Sequence, residues 1–144
     1  MSISALSVGR PDSSPVELQD TADYAVAIDT YSALTSSPPM TNVMVEMAGR
    51  WPAPIRQQMT SRTIPLLIYV LGKTATERRA KFSALKTALD SSTGLVALDW
   101  TETVGIVSTT YRLWCFVTGV QSNETFFKAA AELVAPNPVA EVVP

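Results

Sequence analysis

The sequence predicts a mainly β fold of the α+β kind, antiparallel strands flanked by one α-helix over about residues 75–90. Three observations carry this. Apolar stretches of strand length recur between segments bearing Pro and Gly, as in "TIPLLIYVL" and "TTYRLWCFVTGV". One stretch alone, after Thr74, combines a helical period with a start signal. The longest unbroken apolar run, Ile64 to Leu71, is far below the roughly 20 residues that cross a bilayer, so no membrane insertion is expected.

Residues 1–20, rich in Ser, Pro and Asp, read as an irregular arm, and residues 21–138 as one domain. "YAVAIDTY" (24–31) reads as a strand with Tyr24, Val26 and Ile28 on one face. "SALTSSPPM" (32–40) reads as loop because paired prolines remove two backbone donors. "NVMVEM" (42–47) is a short strand, and "GRWPAPIRQQ" (49–58) a Pro-rich connection carrying Trp51 and Arg56. Residues 63–71 form the clearest strand, whose continuous hydrophobicity predicts burial on both faces. Pro65 cannot donate to a ladder and belongs at the strand start or on an edge.

The helix follows. Thr74 and Glu77 have capping-box spacing. Phe82, Leu85 and Leu89 make one apolar stripe, Arg79, Ser83, Lys86 and Asp90 take the opposite side, and Gly94 is placed as the left-handed terminator. "LVALDW" (95–100) and residues 109–120 are strands; Tyr111, Leu113, Cys115 and Val117 share one face of the second. In "TFFKAAAELVA" (125–135), Phe127, Ala129, Ala131, Leu133 and Ala135 alternate with Lys128 and Glu132, which favours strand over helix. The tail to Pro144, with 139–144 beyond the domain, reads as extended.

Much chemistry is excluded. The chain of 144 residues carries a net charge of −2 and has no histidine, so it has no global basic field and no His-activated nucleophile or His-containing zinc site. Its single cysteine, Cys115, forms no intrachain disulfide and reads as a core side chain. The first residues lack a basic start followed by an apolar run, so no secretion signal is expected; the simplest product is soluble and intracellular, and the sequon at Asn123 is fortuitous. Gly72-Lys73-Thr74 after a strand suggests a phosphate loop, but the first glycine of such a loop would fall at Leu67, inside the strand. No cofactor and no metal site follow from the residues. Asp99 and Glu102 are the remaining candidate acid pair, Trp51, Trp100 and Trp114 the candidate sugar-stacking surfaces, and Arg78-Arg79-Lys81 a solvated helix face.

An ordered set of segments is familiar: "SRTIPLLIYVLG", the helix "TERRAKFSALKTAL", "STGLVALDW", "YRLWCFVTGV", and "FFKAAAELVAPNP" with its Ala-Pro-Asn-Pro ending at Pro136 and Pro138. In this order, over about residues 43–138, they resemble the N-terminal ring domain of distal tail proteins of long-tailed bacteriophages, related to the tail-tube fold. The resemblance implies an antiparallel β-sandwich of tail-tube type and a non-enzymatic virion protein, assembled in the host cytoplasm. It implies a ring, expected to be hexameric, that joins the tail tube to the tip or baseplate hub and leaves a channel through which DNA passes. The Pro-rich loops 32–40 and 49–58, long, apolar-tinged and poor in acids, are expected with the N-terminal arm to reach neighbouring subunits or the next ring. Larger members carry a second, carbohydrate-binding-like domain after the ending; none is expected within this sequence. A tail-tube protein and a small carbohydrate-binding module using Trp51 or Trp114 are the alternatives.

Overall fold

The computed structural model describes residues 2–19, 23–35, 40–45, 53–59, 61–92, 94–123 and 128–144. Ten strands and two helices follow in the order β1 (Ser2–Gly9), β2 (Val16–Glu17), β3 (Tyr24–Val26), α1 (Ile28–Thr35), β4 (Met40–Val45), β5 (Ala53–Met59), β6 (Arg62–Val70), α2 (Ala75–Ala88), β7 (Val96–Val104), β8 (Val107–Asn123), β9 (Lys128–Ala135) and β10 (Glu141–Val143). The described fold is mainly β and every described strand pair is antiparallel, as the sequence predicts.

The main sheet runs β2-β1-β7-β8-β9-β6-β3, with β10 also on β8. The long β8 makes this possible. Its first half pairs with β7, from Val104↔Val107 to Val96↔Cys115, and its second half pairs with β9, from Phe116↔Val134 onward. A register shift between Thr118 and Gln121, where Gly119 takes φ 60°, bends the strand. Such a bulge needs a residue free of the Cβ clash. The two halves of the curled sheet then bury one core. Leu6, Val8, Leu98 and Leu113 come from one half, Ile64, Leu66, Ile68 and Leu133 from the other, and Phe82 and Leu85 from α2. Strict alternation produces these faces: in β9 the inward positions are Ala129, Ala131, Leu133 and Ala135.

Several expectations are corrected. Residues 2–9 are not an irregular arm but β1, paired along its length with β7, with Leu6 and Val8 fully buried. "SISALSVG" alternates small hydroxyls with apolar residues, the signature of a strand with one wet face. The strand at 24–31 stops at Val26, and α1 occupies 28–35 as a second helix, burying Thr30 and Leu34 one turn apart. The stretch 49–58 is not wholly connection, since β5 begins at Ala53. β6 buries one face, not two: Arg62, Ile64, Leu66, Ile68 and Val70 point in, while Thr63, Pro65 and Tyr69 are exposed. The helix ends at Ala88, with the Leu89 N–H on the Leu85 carbonyl at 3.0 Å; Gly94 lies beyond that cap, at φ 156°, and does not terminate it. Thr93, Phe127 and residues 46–52, Trp51 among them, lie outside the described residues.

Candidate functional site

The junction between β6 and α2 shows what the Gly-Lys-Thr sequence does. Thr74 takes extended backbone angles and its hydroxyl accepts the Glu77 N–H at 3.2 Å. The Glu77 carboxylate reaches back, one residue further than the simple capping box, to the Lys73 N–H at 3.1 Å. Arg78 donates to the Gly72 carbonyl at 3.0 Å. Lys81 pairs with Asp23 at 2.6 Å and donates to the Leu71 carbonyl at 3.0 Å, while the Tyr24 hydroxyl donates to the Lys81 carbonyl. The Lys73 and Glu77 N–H groups are thus taken by the chain itself, and a carboxylate sits among them. Arg78 and Lys81 correct the expected solvated face: they tie the helix start to the ends of β3 and β6, and of the three Arg79 alone is exposed. Phe82, Leu85 and Leu89 are buried as the stripe predicts, and Arg79, Ser83, Lys86 and Asp90 are exposed.

The candidate acid pair is separated and engaged. Asp99 and Glu102 project from opposite faces of β7. Asp99 holds Arg112 in a bidentate pair at 2.8 Å on both oxygens, which raises the Arg112 pKa. Glu102 accepts the Trp100 indole N–H at 3.2 Å. Trp100 itself is core, stacked on Tyr111 at 5.7 Å between centroids. Trp114 lies under the Arg112 guanidinium, 5.4 Å from its ring centroid, and donates to Glu141 of β10. Neither ring is offered for stacking on a sugar. Cys115 is fully buried, and burial pushes its thiol up to about 12.

Arg62 was less legible beforehand. It is buried at the start of β6 and donates to the Ala33 and Leu34 carbonyls at 2.6 and 2.8 Å, closing the C-terminal end of α1. Burial pulls its pKa down. An arginine leading an apolar strand was the available signal; the helix whose carbonyls it serves was not foreseen.

The exposed surface divides into distinct parts. The outward face of β1, β7 and β8 is surfaced by hydroxyls: Thr101 and Thr110 bond each other at 2.8 Å, and Thr103 bonds both Ser4 and Ser108, at 3.1 and 3.0 Å. The β7–β8 turn, with Gly105 at φ 62°, carries Val104, Val107 and a fully exposed Ile106. Among the described strands, β4 and β5 pair only with each other, as a separate two-stranded ribbon. Arg56 stands opposite Val43 on this ribbon. At the other end of the chain Pro136 is exposed and Pro138 buried before β10.

No protein-family model and no curated protein matches the sequence. Among solved structures, the fold is similar to that of the SPP1 Dit protein (gp 19.1), described as a paradigm of the hub adsorption apparatus of phages that infect Gram-positive bacteria. The two share 13% identity and a TM-score of 0.60; the likeness covers 96% of this chain and 52% of that one. This chain therefore spans about half the length of that protein, and along nearly all of its own length it shares that protein's fold.

Proposed function

We propose that this protein is a non-enzymatic structural subunit of a phage tail tip, forming a closed ring, hexameric by expectation, that joins the tail tube to the hub and leaves a channel for DNA. One observation carries the reading: a fold shared over 96% of the chain with a phage hub protein, at a level where sequence identity has faded. The residues support it. Asp99, Glu102 and the Gly72-Lys73-Thr74 loop have structural partners, so the chemistry first suspected there is already spent on the fold. The β4–β5 ribbon stands apart from the main sheet, a shape suited to reaching a neighbouring copy. Heterologous contacts of that kind close into rings when the rotation between copies divides the circle.

In tailed particles, a gold label on this protein is expected at the distal end of the tail alone. Label along the whole tail would assign the chain to the tube, and absence of label from particles would remove the virion reading.

A further inference from the structure

We propose that the outward face of β1, β7, β8 and β10, surfaced by Ser4, Ser7, Thr101, Thr103, Ser108 and Thr110, is the wall past which duplex DNA slides in the assembled ring. The inference rests on the ring reading above and adds the surface that meets the DNA. A duplex presents one phosphate charge per ~1.7 Å, and each free Lys or Arg that meets it strengthens binding by releasing counterions. A passage therefore needs a wall without available cations, and with hydrogen-bonding groups already matched.

Among the described surfaces this face has both properties. Its hydroxyls bond one another across the strands, Thr101 with Thr110 and Thr103 with Ser4 and Ser108. Arg112 is the only cation in β1, β2, β7, β8 and β10. It is neutralised by Asp99 at 2.8 Å and laid over Trp114. Glu17, opposite Ser7, and Glu141, opposite Arg112, leave the face mildly negative. Among the described elements no helix packs over it, since α1 lies on β6 and α2 on β2 and β6. The other candidate walls fit worse. The outer side of α2 exposes Arg79 and Lys86. The outward face of the second half of β8, with β9 and β6, exposes Phe116 and Tyr69, and the Lys128 ammonium is 5.7 Å from the Tyr69 ring centroid.

Labelling of assembled rings tests the assignment, with ring mass measured first. Buried Cys115 leaves little background, so Thr110→Cys and Ser108→Cys report the proposed wall and Arg79→Cys the outside. In the ring, the wall variants are expected to keep reacting with a small biotin maleimide yet to lose capture by streptavidin, which is too bulky to follow; Arg79→Cys keeps both. Loss of both reactions at the wall positions would make this face a subunit contact, and retention of both an outer surface; either overturns the inference. A second readout is DNA retention. Rings with Ser108→Lys and Thr110→Lys are expected to hold duplex DNA about tenfold more at low salt than rings with Ala84→Lys on α2, and equal retention would contradict the assignment. Wild-type protein that forms no ring on tail tubes would overturn the ring reading, and this inference with it, an outcome the mass measurement separates from the others.

Discussion

Thr74 and Cys115 show how single residues with suggestive chemistry serve the fold. Removing the Thr74 hydroxyl leaves the Glu77 N–H without its partner. Thr74→Ala is expected to cost about 1 kcal/mol, read from the urea midpoint, and Thr74→Asp to restore it. An unchanged midpoint for Thr74→Ala would mean that the cap contributes nothing. Cys115 has its thiol pushed up to about 12 by burial, above the ordinary value near 9.0. The raised value means the protonated thiol is favoured by the fold, so this contribution is complete below pH 9 and is lost as pH rises toward 12. At pH 8 native protein should resist maleimide and react promptly in urea; prompt native reaction would show that the β7–β8 core opens. Asp99 was legible as a strand-end acid, but its partner depends on the register Asp99↔Arg112, which residue types cannot disclose.

Helix α2 was legible because cap, stripe and length agree, and agreement across levels marks a well-specified element. Phe82→Ala, at a buried position, is expected to cost about 3–5 kcal/mol in a denaturant titration, enough to remove much of a small domain's stability. A loss below about 1 kcal/mol would mean that α2 is not packed on the core. Helix α1 was not legible. Its eight residues bury only Thr30 and Leu34, too few positions to separate a helical from a strand period, and "YAVAI" ahead of it alternates. β5 was hidden by Pro54 within it and Pro52 just ahead of it. Pro54 stands opposite Met44 where the β4–β5 register shifts, the kind of irregular place at which a ladder tolerates proline. Pro65 is tolerated as well: β3 covers only Ile68 to Val70 of β6, and the Pro65 carbonyl takes the Thr30 hydroxyl at 2.7 Å.

At the scale of the whole molecule, β1 and the β4–β5 ribbon are expected to behave oppositely. Deleting residues 2–9 removes two fully buried side chains and a strand between β2 and β7, so the protein should lose its cooperative melt rather than merely its assembly. A deletion variant that melts as the parent does would contradict the place of β1 in the sheet. Replacing 40–59 by a short Gly-Ser linker should leave the main sheet folded and abolish association, because among the described strands β4 and β5 pair only with each other. The mainly β class was readable from the spacing of the strands, whereas the ring is a property of copies, and no single-chain pattern encodes how they meet. Sedimentation mass with negative-stain averaging, on the protein alone and on purified tail tubes, tests ring formation most directly. A closed ring of identical subunits, six by expectation, seated at one end of the tube is the predicted result; a monomer that stays monomeric with tubes present would contradict it.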